Sequence, residues 1–168
     1  MRVLYLVSVW LHILAAAVWV GGMAFFMLVL VPLMRSKTVG ANAGVLIHWI
    51  GVRFRSVGWA SLGVLVATGS FNLCARGVRW TDLHSGDFWH SNFGETLAVK
   101  LAVVATILVI SAVHDFKVGP LATRLLREQP DSAKAQRYRN LARTIGRINV
   151  VLALAAVALG VMLVRGLP

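Results

Sequence analysis

From Val3 to Met34 the chain runs without a single Asp, Glu, Lys or Arg. At about 1.5 Å per residue this is longer than the roughly 20 helical residues that cross a hydrocarbon layer of about 30 Å. The run therefore reads as a transmembrane helix with tilt or overhang. It is too long, and too continuous with later apolar segments, for a cleaved signal peptide. The rest of the chain agrees, because 58% of its 168 residues are hydrophobic and 14% charged, against about 45–50% and about 25% in soluble domains. Mean hydropathy is +0.77. The length suits one domain and falls short of the large transporters built from inverted repeats.

Three more spans follow. Ser56 to Ala75 is uncharged, Gly94 to Val113 is apolar on either side of Lys100, and Ile148 to Val164 closes the set, led in by a polar helical stretch. The fold class expected is an all-α integral membrane four-helix bundle in a single domain, 1–168. Its spans fall near 3–34, 56–75, 94–115 and 146–165, with loops 35–55, 76–93 and 116–145. The middle of the first loop, around Val45 to Ile50, reads as an interfacial helix or an early start to the second span. Pro120 and Pro130, flanking Leu121 to Gln129, suggest a short helix lying on the cytoplasmic surface.

A net charge of +11 would point to nucleic acid in a soluble protein. Here it is ordinary, because basic residues collect in cytoplasmic loops, and no nucleic-acid partner is expected. The first loop carries Arg35, Lys37, Arg53 and Arg55 without an acid. The third carries Lys117, Arg124, Arg127, Lys134, Arg137, Arg139, Arg143 and Arg147 against Glu128 and Asp131, and the second has only Arg76 and Arg79 against Asp82, Asp87 and Glu95. The first and third loops are thus expected in the cytoplasm and both the N-terminus and the C-terminus outside. The single Cys74 makes no intramolecular disulfide and by itself no thiolate metal site.

Helical spacing then locates the polar groups. On the first span His12, Trp19, Met23, Met27 and Met34 fall within about 80° of arc at about 100° per residue. An imidazole followed inward by thioethers is a donor set suited to Cu(I); the plain alternative is that the Met residues fill the bundle interior. His12 needs a partner inside the bundle in either case, and an intramembrane ionisable residue is a candidate functional group. On the third span Lys100, Ser111 and His114 share a stripe. Lys100 lies at the depth of His12, which calls for a neutral member or an added anion between them; otherwise it snorkels to the outer interface. His114-Asp115 lies about 21 Å further along the helix, where a second site with His48 competes with interfacial hydrogen bonding. Ser61, Thr68 and Asn72 form a polar seam on the second span, the kind of stripe that bonds helix to helix. His84 and His90 sit in the outer loop among acidic residues, as ligands that capture Cu(II) or Zn(II), as part of a lid over the site at His12, or as solvated side chains.

The chain lacks Cys-x-x-Cys-His, phosphate-binding and dinucleotide fingerprints, His-Glu-x-x-His and Gly-x-Ser-x-Gly, so soluble-type hydrolysis is not expected. Several stretches, in this order, resemble the copper resistance protein D (CopD) family of four-helix membrane domains. They are Leu11-His12-Ile13, Trp19-Val20-Gly21-Gly22-Met23 and Val31-Pro32, then Arg53 and Arg55 leading to Thr68-Gly69-Ser70-Phe71-Asn72, then Phe93-Gly94 with Lys100-Leu101. The resemblance implies copper import or homeostasis at the bacterial inner membrane, with a periplasmic copper carrier as partner. Copper would meet His12, Met23, Met27, His84, His90 and His114. His12 and Gly94…Lys100-Leu101 are also similar to HemJ-type protoporphyrinogen oxidases and, more distantly, to four-helix b-type cytochromes. That likeness implies a haem b cofactor with His12 as axial ligand, Lys100 at its carboxylates, Trp19, Met23 and Asn72 lining the pocket, and an electron-transfer partner. An enzymatic role, as a haem-dependent membrane oxidoreductase, belongs to this alternative alone. The lipid bilayer is the partner common to both, and homo-oligomer formation is left open.

Overall fold

The computed structural model describes residues 2–35, 43–129 and 131–166; the side chains of Met34 and His48 lie outside the described residues. The described chain is helical and free of strands. Helix α1, Arg2–Phe25, continues through a π-helical turn, Phe26–Leu30, into α2, Val31–Arg35. Helix α3 runs unbroken from Ala43 to Ala75, starting well before the uncharged segment. After the short α4, Gly86–Trp89, helix α5 spans Asn92–Val113. A second π-helical turn, His114–Val118, leads into α6, Gly119–Glu128, and α7 covers Ala133–Arg165. Four of these stretches are long and apolar enough to cross a membrane: Arg2–Leu33, Trp49–Ala75, Asn92–Glu128 and Ala133–Arg165.

Both π-helical turns have the same local cause. Proline has no N–H and its ring collides with the carbonyl four residues earlier. For Pro32 and Pro120 that carbonyl belongs to Leu28 and Phe116, each inside a π-helical turn. The wider i to i+5 bond, Val31 N–H to Phe26 O and Gly119 N–H to His114 O, lets the helix pass the proline without breaking. The segment expected as a separate surface helix is consequently a continuation of the third span. Helix α6 lies along the polar beginning of α7, burying Ala122 and Leu125, and Arg124 is bonded to Glu128 one turn on.

Helix α1 packs chiefly on α3, and α5 on α7; α1 and α7 join the two pairs. Each of the four spanning helices sends one buried residue to a common core of Trp19, Leu62, Ile107 and Ala153. The outside is apolar: Trp10, Ile13, Phe25, Val109, Val151 and Val161 are all largely exposed, the distribution a lipid solvent requires. Buried polar groups pair between helices, as in Asn149 Nδ2 donating to Ser111 Oγ at 2.9 Å between α7 and α5.

The start of α1, the end of α7 and residues 76–91 lie at one end of the bundle, the termini end. The starts of α3 and α7, with α6, lie at the other, the basic end. Ser91 caps α5 by accepting the Gly94 N–H at 3.0 Å. Gly94 is obligatory there, because a Cβ would fall 2.0 Å from the Phe88 carbonyl oxygen and 2.9 Å from the Trp89 Cα. Gly94→Ala is expected to destabilise the protein by about 2 kcal/mol or more, because backbone must move to admit the methyl group. Gly63→Ala, where a Cβ meets nothing within 4 Å, should be neutral or gain up to about 1 kcal/mol. Thermal unfolding in detergent micelles reads both.

Candidate functional site

Near the termini end, α1 and α3 approach closely enough for His12 to lie over Gly69, whose Cβ, if present, would stand 3.4 Å from the imidazole Cε1. His12 Nδ1 is 2.8 Å from Thr68 Oγ1. The direction of that bond follows from counting protons. The Thr68 hydroxyl has one hydrogen, and it goes to the Val64 carbonyl at 2.6 Å, as threonine does in helices where no water competes. The oxygen can therefore only accept from His12, so Nδ1 carries the proton and Nε2 the lone pair. An imidazole held by its N–H, with the other nitrogen free, is the usual arrangement of a metal-binding histidine.

Lys100 reaches this neighbourhood from α5. Its ammonium lies against α7 at Gly160, 3.2 Å from the point a Cβ would occupy, and within electrostatic range of His12. Arg76, at the end of α3, is the next cation. Its guanidinium donates to Tyr5 Oη at 3.3 Å and to the Leu163 carbonyl at 3.0 Å, tying three spanning helices together. Asn72, between Thr68 and Arg76 on the same face of α3, has its Oδ1 buried without a hydrogen-bond partner among the described residues. The structure thus brings Thr68 and Lys100 to His12, while Asn72 and the exposed Arg76 follow Thr68 at one-turn intervals toward the termini end.

The other sequence candidates lie apart. Trp19 is 7% exposed and belongs to the core, its indole 3.9 Å from the place of a Cβ on Gly58. Met23 packs against that core and Met27 lies half-buried in the first π-helical turn. At about 1.5 Å per residue they are about 16 and 22 Å along the helix from His12, so neither shares an ion with it. His84 donates Nδ1–H to the Trp80 carbonyl at 2.9 Å and lies edge-on to the Trp80 ring. His90 is exposed at the end of α4. Among the described residues no three His, Cys, Asp or Glu side chains gather as they would around a metal ion.

His114 belongs to a second polar cluster at the basic end. Asp115 accepts from His114 Nδ1 at 2.9 Å and from Trp59 Nε1 at 3.0 Å. Arg55 bonds the Asp115 carbonyl at 3.2 Å and covers the Phe116 ring, its Cζ 5.7 Å from the centroid. Trp59 and Phe116 also touch, with ring centroids 5.7 Å apart. The widened turn before Pro120 swings this Asp carboxylate toward α3 and makes it a lock between the second and third spans. Sequence reading missed Thr68 as a partner of His12, Trp59 as a donor, and Arg76, counted only as a loop charge, as a tie between helices. Only the shared stripe of Thr68 and Asn72 hinted at the first, and an indole in an apolar run carries no signal that it will donate.

These features define a small four-helix integral membrane protein with a polar, cation-rich site between helices near one end. The chain matches the family model described as copper resistance protein D (CopD) over residues 50–163, and it belongs to that family. The matched stretch includes Thr68, Asn72, Arg76 and Lys100 and begins after the first span, so His12 lies outside it. A relative from Aquifex aeolicus (strain VF5), called "Uncharacterized protein", is 31% identical over 157 residues, 93% of this chain and 92% of its own length. No solved structure matches the chain.

Trp59→Phe keeps the ring and removes the N–H that Asp115 accepts, leaving a partly buried carboxylate short of a donor. A loss of about 1–3 kcal/mol is expected, read as a lower midpoint of unfolding in mixed micelles. Phe116→Leu, which leaves the carboxylate bonded, should cost less.

Proposed function

We propose that the protein handles copper ions at the inner membrane of a bacterium, with His12 Nε2 as the ligand that receives the ion inside the bundle. The observation that carries this reading is the bond from His12 Nδ1–H to Thr68, which sets the tautomer and aims a neutral imidazole for coordination. Membership of the CopD family supports copper as the cargo. Imidazole and thioether are donors that Cu(I) accepts readily. Met23 and Met27, further along α1, then mark the onward path toward the basic end, by successive transfer rather than by a shared site. His84 and His90, exposed near the termini end, are the groups from which a periplasmic copper carrier would deliver the ion. Both are exposed, which suits brief capture. The excess of Lys and Arg at the basic end supports placing that end in the cytoplasm.

Three measurements test the reading. Purified protein should be colourless and bind one Cu(I) in competition with a chromophoric chelator, and His12→Ala should abolish this. A Soret band lost in His12→Ala would overturn copper in favour of a macrocycle. Thr68→Val removes the acceptor that orients the ring and should weaken Cu(I) by about 10–100-fold, as for other outer partners of metal-binding histidines, whereas Thr68→Ser should retain most affinity. Orientation has an independent test. In a Cys74→Ser background, His84→Cys should react with an impermeant maleimide on intact cells, and Lys134→Cys only after permeabilisation; the reverse pattern refutes the topology.

A further inference from the structure

Arg55, half-buried at the basic end, carries a charge that no carboxylate answers. One of its nitrogens donates to the Asp115 carbonyl at 3.2 Å, and the guanidinium lies over the Phe116 ring. Its other N–H groups have no partner among the described residues. The Asp115 carboxylate is taken by His114 and Trp59, and neither Arg55 nor Lys117 forms an ion pair among the described residues. Of the chain's six acids, Asp82, Asp87 and Glu95 belong to the termini end and Glu128 is paired with Arg124. That leaves Asp131, exposed just before α7. A guanidinium laid on an aromatic face keeps its edge donors for an oxyanion.

Depth along the helices selects the oxyanion. The uncharged run of α3 starts at Ser56 and the apolar run of α5 ends at Val113, so Arg55, Phe116 and Lys117 stand within about one turn of the hydrocarbon boundary. Lipid headgroups fill roughly the next 5–8 Å. Phe116 is 61% exposed and Lys117 is exposed beside it in the same turn, so both are open to the bilayer. We infer that Arg55, Phe116 and Lys117 form a binding site for the phosphodiester headgroup of an anionic phospholipid, at the seam between the second and third spans. The two cations meet the phosphate, and an acyl chain lies on the Phe116 ring and the apolar surface beyond it. A zwitterionic lipid brings a cation of its own and gains less from the same charges. A soluble phosphate has no chain to bury. The widened turn before Pro120 makes the site, because it sets Asp115 against α3 and so brings Arg55 over Phe116. This inference stands apart from the copper reading.

Brominated lipids are the probe, because bromine quenches a tryptophan that it touches, and Trp59 packs on Phe116. The full chain, carrying Trp49→Phe so that Trp59 is the reporter at this end, is reconstituted without copper in phosphatidylcholine bilayers. A small share of the lipid is replaced by brominated phosphatidylglycerol or brominated phosphatidylcholine. Phosphatidylglycerol should quench in preference, and Lys117→Gln should lower that preference by about fivefold, the usual effect of one basic residue at an anionic surface. Lys117→Arg should keep it. Arg55→Gln should lower it as well; should that variant fail to fold, since Arg55 also ties the helices, Lys117→Gln decides alone. Arg127→Gln with Lys134→Gln, which removes two exposed cations of α6 and α7, should leave the preference intact. Equal quenching by the two lipids overturns the site, and an equal loss in the α6 and α7 variant overturns it in favour of diffuse surface attraction. Displacement of the lipid by soluble glycerol phosphate, or by poly-glutamate, overturns it in favour of a free phosphate or an acidic protein segment.

Discussion

Hydrocarbon offers no hydrogen bonds, so a polar group inside this bundle is costly unless it finds its partner in the protein. That constraint organises the structure from the backbone outward. The four long helices satisfy their own amides, and the residues that break the apolar pattern pair across helix boundaries. His12 meets Thr68 between α1 and α3, Asn149 meets Ser111 between α7 and α5, and Trp59 meets Asp115 between α3 and the third span. The threonine bond to Val64 shows how one constraint generates the next. Because its single hydrogen is taken by the backbone, the hydroxyl can serve the imidazole only as an acceptor, and the ring is left with one free nitrogen.

The prolines show the same logic applied to backbone. Pro32 and Pro120 interrupt spanning helices, and in each case a π-helical turn one step earlier absorbs the interruption. The second of these turns has a consequence for packing. It places His114, Asp115 and Phe116 against Arg55 and Trp59, so that the basic end is tied together by a charged and aromatic lock. The termini end is tied by Arg76, which reaches α1 and α7 from α3. Between these two ties the core is thin, one residue from each helix. The small contact residues Gly22, Gly58 and Gly69 let ring side chains lie close to backbone in place of a broad hydrophobic interior.

The division of labour along α1 follows from depth rather than from angle. His12, Trp19, Met23 and Met27 share one stripe, and a helical wheel presents them as a single set. In the structure the stripe passes through three environments. His12 faces the polar row of α3, Trp19 and Met23 belong to the core, and Met27 lies in the turn that precedes Pro32. A stripe states which way a side chain points. It does not state what stands opposite at each level.

The sequence by itself determined the four spans, the absence of strands from the described chain and the uneven distribution of charge, because each depends on the free energy of placing one segment in hydrocarbon and requires no knowledge of its neighbours. It also singled out His12 and Lys100, since a polar or ionisable group in an apolar run stands out wherever the run is placed. Which groups answer them was decided only by the tertiary structure. Thr68, Arg76 and Trp59 acquire their roles from helix order, tilt and register, and a row of residues on one helix carries no record of which helix will face it. The same reason separates His12 from Met23 and gathers Asp115 with Trp59. Partners in a bundle are set by how rigid rods pack, and packing is a property of all four together.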